Sequence, residues 1–391
     1  MLKRSYNIWI ITILLCAFGL LMVYSASGFS QSSDSSMQFV KKQILFMVLG
    51  FVACFALQFL DYRMFYKLAK IIWIFSVGTI LLLVTKLGVE ANGATRWLNI
   101  AGFQFQVAEV VKVGVIVAMA YILQRFSKQL KKIQVVFVMW IVGGLTAVLL
   151  FGISNDLSSS LVVLVVTYGM SFIYTKDVKL HLGIAAVAII AVVVYVLSIW
   201  NNMPKPEEIE TLPFRVARIA AWLDPERYAE DAGYQTLQAL YAIGRGGIWG
   251  QGLGDSIQKI AALPEAQNDM IFAIVCEELG VFGATLMIFM YGYLVSQMYK
   301  CSSSSENIFG SALVSGIMLH IGVQTVINIA VNVNFFPNTG IGLPFVSYGG
   351  TATMCQLAEI GILLSVQRDA EGEKLYNIIR YFRKLKEIKS R

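Results

Sequence analysis

The stretch Leu263-Pro264-Glu265-Ala266-Gln267-Asn268-Asp269-Met270-Ile271-Phe272-Ala273-Ile274-Val275-Cys276-Glu277-Glu278-Leu279-Gly280 leads an acidic, turn-forming segment straight into an apolar helix. The apolar run continues to about residue 299, longer than the roughly 20 residues that cross a bilayer. A carboxylate at the bilayer centre costs roughly 2.5–3.5 kcal/mol on insertion scales, so acids at or inside such a segment point to function. Outward from this stretch, apolar runs of helical length recur along nearly the whole chain. Of its 391 residues 57% are hydrophobic and 14% charged, against about 25% charged in an ordinary soluble domain. The pattern predicts an all-α polytopic membrane protein with about ten transmembrane helices, at roughly 8–27, 42–60, 66–86, 106–124, 133–151, 158–175, 180–200, 269–299, 305–334 and 350–367. The eighth and ninth stretches are too long for one straight span, which calls for tilt, a break or an extramembrane extension.

The net charge of +7 follows the same topology. With both termini in the cytoplasm, 20 of the 31 Lys and Arg fall on inside segments, among them Lys3, Arg4, Lys176, Lys179 and eight in the tail 368–391. The short outside loops hold only Lys41, Lys42, Lys86 and Arg96. Six more lie in the long loop 201–268, which the positive-inside rule largely exempts. The basic charge therefore reads as topology and membrane-surface contact, not as a nucleic-acid stripe. The tail from Tyr376 to Arg391 has the make-up of an amphipathic segment on the inner leaflet or, equally, of a solvated stop signal. Lys3-Arg4 followed by an apolar stretch and Ser25-Ala26-Ser27 resembles a signal peptide, but the stretch is long enough to span and is read as an uncleaved first helix. The five cysteines show no paired or metal-ligand spacing, and His181 and His320 are far apart, so no His/Cys metal site is expected.

Short loops join the helices up to Trp200. The one large break, 201–268, is expected on the extracytoplasmic side as part of a single integral membrane domain, 1–391. It holds five of the seven prolines. Within it, Pro213 to Pro225 reads as a short amphipathic helix bounded by prolines, with Arg215 and Arg218 three apart on one face. A glycine-dense turn from Gly244 to Gly254 follows; without a Lys-Ser/Thr ending it is not a phosphate-binding P-loop.

Several charges stand where a membrane protein does not place them idly. Glu109 and Lys112 share one face of the fourth span, either as a neutralising pair or as the lining of a polar cavity. Asp156 suits a helix N-cap equally well as a cavity wall. Asp269 could likewise cap the eighth span. Glu277 lies about 80° around the helix from Asp269 and Glu278 nearly opposite, so one face cannot present all three acids. The outer side thus collects Arg96, Glu109, Lys112, Asp156, Arg215, Arg218, Lys259 and Asp269. Arg and Lys suit phosphate, a carboxylate suits proton abstraction, and a cavity facing the bilayer suits a lipid-linked substrate.

The chain resembles the SEDS proteins (shape, elongation, division and sporulation), the group containing FtsW, RodA and SpoVE. The resemblance is carried in order by Gly19 to Ser27; Asn92-Gly93-Ala94-Thr95-Arg96-Trp97; Phe105-Gln106 with Glu109 and Lys112; Gly233-Tyr234-Gln235; Gly250-Gln251-Gly252-Leu253-Gly254; Leu263-Pro264-Glu265-Ala266; Asp269 with Ile271-Phe272-Ala273; Glu277-Glu278-Leu279-Gly280; and Gly340 to Gly350, which includes Ser347. It implies a peptidoglycan glycosyltransferase of the bacterial cytoplasmic membrane. Such an enzyme polymerises lipid II, an undecaprenyl-diphosphate-linked disaccharide-pentapeptide, into β-1,4-linked strands for division, elongation or sporulation. It implies a class B penicillin-binding protein as partner, beside other division or elongation proteins. Asp269 matches the family's essential loop aspartate, and Glu109, Lys112 and Asp156 match polar positions of its central cavity. Arg96, Arg215, Arg218, Lys259 and Ser347 complete the candidates for binding substrate or diphosphate; a divalent cation, Mg or Mn, is an alternative counter-charge. The chain departs from the family at Val107-Ala108 (often Pro-Ser), Asn268-Asp269-Met270 (commonly Thr-Asp-Phe) and Asn155-Asp156-Leu157-Ser158 (usually Pro-Asp-Leu-Gly). The charged residues survive each change; the subgroup, with Leu263-Pro264-Glu265-Ala266 leaning towards FtsW, stays open. The rival readings are a lipid II flippase and a non-catalytic scaffold for the transpeptidase.

Overall fold

The computed structural model describes residues 3–27, 33–91, 94–100, 102–175, 177–261 and 263–389. Asn92, Gly93 and Lys176 lie outside the described residues, as do the side chains of the basic tail from Glu373 on, including its amphipathic reading. Thirteen α-helices, two short 3-10 helices at Ser127–Gln129 and Pro206–Thr211, and one small sheet make up the regular structure of the described residues. Seven long helices come first: α1 Lys3–Ser27, α2 Ser33–Phe59, α3 Arg63–Leu82, α4 Val107–Arg125, α5 Ile133–Ser154, α6 Leu157–Thr175 and α7 Val178–Asn201. Three short ones follow in the large loop: α8 Phe214–Leu223, α9 Tyr234–Gly246 and α10 Gln258–Ala261. The chain closes with α11 Ile271–Ser304, α12 Ile308–Asn332 and α13 Thr351–Lys389. Among the described residues, nine helices are long and apolar enough to cross a membrane. The apolar first part of α13 is the tenth stretch expected from sequence. Helices satisfy their own backbone polar groups, the requirement a bilayer imposes.

α4 stands at the centre, packed against α3, α5, α6, α12 and α13, and most of its residues are buried. α7 is the opposite case. Only His181 and Ile199 of its 24 residues are buried, and between it and α5 and α6 opens an apolar cleft of about 960 Å³.

The third span ends at Leu82, four residues short of its expected end, because the chain turns there into an unforeseen antiparallel sheet. Its strands are β1 Gly88–Ala91, β2 Ala94–Ile100 and β3 Phe103–Gln106, in the order β1-β2-β3. Gly88 faces Leu98 and Trp97 faces Gln106 across the ladders, with an irregularity between Val89 and Glu90. Ala94 and Leu98 turn inward, and this register holds Arg96 over the end of the helix bundle.

The long eighth span does break. Gly280 sits at φ 66°, ψ −166° inside α11, a conformation that is costly for any residue with a Cβ. The kink frees backbone groups that must find partners inside the protein, and the glycine-dense turn supplies them. Gln251 N and Gly252 N donate to the carbonyls of Glu277 and Glu278 at 2.9 and 3.0 Å, while Val281 N and Phe282 N donate to those of Gly247 and Ile248 at 3.0 and 3.3 Å. The approach is close enough that a Cβ on Gly250 would meet the Glu278 carbonyl oxygen at 2.2 Å.

In the large loop, the proline-bounded helix appears as α8. Its Ala217, Ala220 and Ala221 form a small core with Ile199, Ile209 and Tyr228. α9 was not anticipated: its Gly244 and Gly246 are helical, and only Gly247, Gly250, Gly252 and Gly254 take positive φ.

Candidate active site

At the end of the bundle remote from both termini, a cavity of about 360 Å³ is walled by β2, the first turns of α4 and α6, α8, the segment before α11 and the loop between α12 and α13. Of the sequence candidates it gathers Arg96, Glu109, Lys112, Asp156, Arg218, Asp269 and Ser347, contributed by six separate segments.

Asp269 is 7% exposed, and its Oδ1 is buried without a hydrogen-bond partner. Its backbone is clamped from α12, where Asn328 Nδ2 and Asn332 Nδ2 both donate to the Asp269 carbonyl at 2.8 and 2.9 Å. Ser347 Oγ donates to the Asn268 carbonyl at 2.6 Å, and Tyr348 N donates to that of Gln267 at 2.9 Å. The helix-cap alternative fails: Met270 holds the cap position without a side-chain bond, and Ala273 N donates instead to Asn332 Oδ1 at 3.0 Å. With its capping duty taken by Asn332, the carboxylate is free for the cavity. Burial first, and then the Glu265 carboxylate, push the Asp269 carboxyl up to about 7, against its backbone hydrogen bond and the nearby Arg218.

Two guanidiniums stand in the same cavity. Arg218 Nη1 donates to the Asn338 carbonyl at 3.0 Å, and its guanidinium stacks 4.1 Å from the Phe214 ring. Arg96 Nη2 donates to the Asn155 carbonyl at 3.4 Å, while its Nε is buried without a partner. Burial, and secondarily Arg96, lower the Arg218 pKa, and Asp269 opposes them. Two cations that repel one another, Arg218 among them desolvated, favour an anion between them. Lys112 is already committed, with Nζ 2.7 Å from Glu109 Oε1 and both side chains buried; Glu109 Oε2 has no partner. The pair is thus both neutralising and cavity-lining. So is Asp156: it caps α6 by accepting from Ser159 N and Ser159 Oγ at 3.0 and 2.8 Å, and it also faces the cavity.

Two candidates lie elsewhere. Arg215 is on the exposed side of α8, 4.3 Å above the Phe151 ring, because consecutive basic residues three apart still diverge when one enters a narrow cavity and the other meets an aromatic outside it. Lys259 is drawn away by a stronger partner. Its Nζ lies 2.7 Å from Glu278 Oε1 and donates to Ser25 Oγ at 3.0 Å, with both charged side chains almost fully buried. Glu277 is likewise consumed, accepting from Ser256 Oγ and from Ile257 N at 3.1 Å. Both glutamates therefore pin the large loop to the kink of α11. Removing one partner of a buried ion pair costs about 3–5 kcal/mol. Lys259→Ala is expected to lower the thermal unfolding midpoint in detergent while leaving the substrate KM unchanged; a raised KM with unchanged melting would return Lys259 to the binding site.

The cavity also has walls that charge alone did not reveal. Gln324, Gln356, Thr353 and Gln106 line it, and Gln324 Oε1 is an unpartnered buried acceptor. Gln324, Asn328 and Asn332 recur every four residues in an otherwise apolar span, a signal that was readable from sequence. Deeper along the same face of α12, His320 Nδ1 lies 2.9 Å from Glu359 of α13, a buried intramembrane pair.

A family model described as "Cell cycle protein", covering FtsW, RodA and SpoVE, matches residues 5–372. The chain belongs to the FtsW/RodA/SpoVE family. It is 34% identical over 365 residues to a probable peptidoglycan glycosyltransferase FtsW of Geobacter sp. (strain M18), covering 92% of this chain and 95% of that one. It is also 34% identical over 364 residues to the stage V sporulation protein E of Bacillus subtilis (strain 168), with the same two coverages. Among solved structures, a chain of a peptidoglycan synthase complex superposes with a TM-score of 0.73 at 24% identity, covering 93% of this chain and 98% of that one. RodA of Thermus thermophilus follows at 0.63 and 23%, covering 93% and 97%. These two likenesses establish the fold. With this family and this helix content, the chain is a multi-pass protein of the bacterial cytoplasmic membrane.

Proposed function

We propose that this chain is a peptidoglycan glycosyltransferase that polymerises lipid II, with Asp269 as the general base. The observation that carries the reading is the buried Asp269 carboxylate, its Oδ1 without a partner, in one cavity with the two arginines Arg96 and Arg218. The distribution of Lys and Arg supports an outer-face position for this end of the bundle. Asp269 accepts the proton of the acceptor 4-hydroxyl, the oxygen attacks C1 of the donor sugar, and undecaprenyl diphosphate leaves with the bonding electron pair. Attack opposite the leaving group gives a β-1,4 bond. Arg96 and Arg218 meet the charge that grows on the diphosphate, while the Glu109–Lys112 pair, Asp156 and Ser347 keep the walls in place. Among the described residues no three acidic, His or Cys side chains converge to hold a metal ion. A divalent cation here would draw part of its coordination from the diphosphate itself.

α6 connects this chemistry to the bilayer. Ser158 and Ser159 face the cavity, whereas Leu161, Leu164 and Val165 face the apolar cleft beside α7, which suits a polyprenyl chain. A class B penicillin-binding protein is the proposed partner, since a structural relative belongs to a synthase complex that couples polymerization to crosslinking.

A base must be ionised to accept a proton, so the rate is expected to rise with pH through a limb near 7, where the Asp269 carboxyl titrates. The measurement is the initial rate of glycan formation from pH 5.5 to 8.5; a rate that is level below pH 6.5 would remove Asp269 from this role. The flippase reading has the same cavity in its favour. Lipid II crossing protein-bearing vesicles, with no polymer formed, would decide for it.

A further inference from the structure

The lipid-facing surface of α11 has a sharp upper limit. From Ile271 to Gly280 every residue but Leu279 is buried, whereas exposure begins at Val281 and Phe282 and recurs through Phe289 and Tyr293 to Tyr299. The 18 residue steps from Val281 to Tyr299 span about 27 Å at 1.5 Å per residue, close to the hydrocarbon thickness of a bilayer. Lys300 follows immediately at the other end. The membrane boundary on the cavity side therefore falls at the kink, Gly280.

The glycine-rich turn is pinned at that level by its four backbone hydrogen bonds to residues 277–282. Its side chains point outward: Trp249 is 82% exposed, Ile248 66% and Leu253 52%. No charge occurs from Gly246 to Gly254. Tyr24 of α1, also exposed, stands at the same height, because its neighbour Ser25 donates to Glu278 at 2.6 Å. An exposed Trp and Tyr at the end of a lipid-facing surface is the arrangement that aromatic residues adopt at membrane–water interfaces.

We propose that the turn Gly247–Gly254 is an interfacial membrane anchor that seats Ile248, Trp249 and Leu253 at the headgroup–acyl boundary of the leaflet on the cavity side. The occupant is lipid, since the patch runs on without a break from the lipid-facing side of α11 at Val281 and Phe282. Arg245, half exposed and 3.8 Å from Glu277, stands beside it to meet lipid phosphates. The anchor leads through α10 into the segment carrying Asp269 and so fixes the height of the cavity relative to the leaflet.

The test uses the full-length protein, without partner, in phosphatidylglycerol–phosphatidylethanolamine vesicles whose acyl chains carry bromine at shallow or deep positions. The Trp249 signal is the difference between wild-type and Trp249→Phe emission, with Trp249→Tyr as a second reference should the first fold poorly. The expected result is a blue-shifted component, quenched most by the shallow bromine, barely by aqueous iodide, and lost in both variants. A red-shifted component quenched by iodide would overturn the proposal, placing the turn in water. A component shielded from both quenchers would overturn it too, since a second protein chain would then cover the patch.

Discussion

Asp269→Asn is expected to reduce glycan polymerisation by roughly 10²–10⁴-fold, the contribution of a positioned general base, while leaving the protein folded. The second half of that expectation follows from the site. The Asp269 side chain caps no helix and its Oδ1 has no partner, so an amide there breaks no hydrogen bond at that atom. Its carboxyl, raised to about 7 by burial, binds protons in the folded state that the unfolded chain has released. Folding is therefore favoured below pH 3.8, and stability falls as pH rises from there towards 7. A neutral amide removes that cost, so the variant should melt at or above the wild-type temperature at pH 7.5. Loss of activity together with a lowered melting temperature would instead indicate a structural aspartate.

The second large effect is expected at Arg218. Replacing it with Gln removes one of the two guanidiniums assigned to the leaving diphosphate, and the loss of a single such charge-stabilising donor costs about 10²–10³ in kcat. It also removes the cation that holds Asp269 down, so the acid limb of the pH–rate profile should move to higher pH. Arg215→Gln provides the contrast. Arg215 lies on the Phe151 ring outside the cavity and should leave both the rate and the limb in place. Equal losses at the two positions would mean that the diphosphate is held outside the cavity as well.

Length and hydropathy made the spans legible, because a bilayer sets a fixed number of apolar residues. That the stretch 269–299 exceeds one straight crossing was legible for the same reason, but tilt, a break and an extramembrane extension would each have answered it, and the structure shows the break. Its position at Gly280 was not legible, since the kink depends on a turn some 30 residues earlier that donates and accepts the missing hydrogen bonds. The sheet 88–106 was missed because strands of four to seven residues between two strong spans leave too short a pattern to stand out. At the site, residue type revealed the chemistry but not which residues meet. Lys259 and Arg218 look alike in sequence, yet one is buried against Glu278 and the other faces Asp269. Asn328 and Asn332 went unnoticed inside an apolar span, although they free the Asp269 side chain by clamping its backbone and capping α11 in its place.

The decisive measurement is lipid II polymerisation by the purified chain alone in detergent, beside an equally folded Asp269→Asn protein. Glycan strands from the wild type and none from the variant are the expected result. Equal polymer from both, or none from the wild type under conditions where its folding is verified, would contradict the assignment of glycosyl transfer to this cavity.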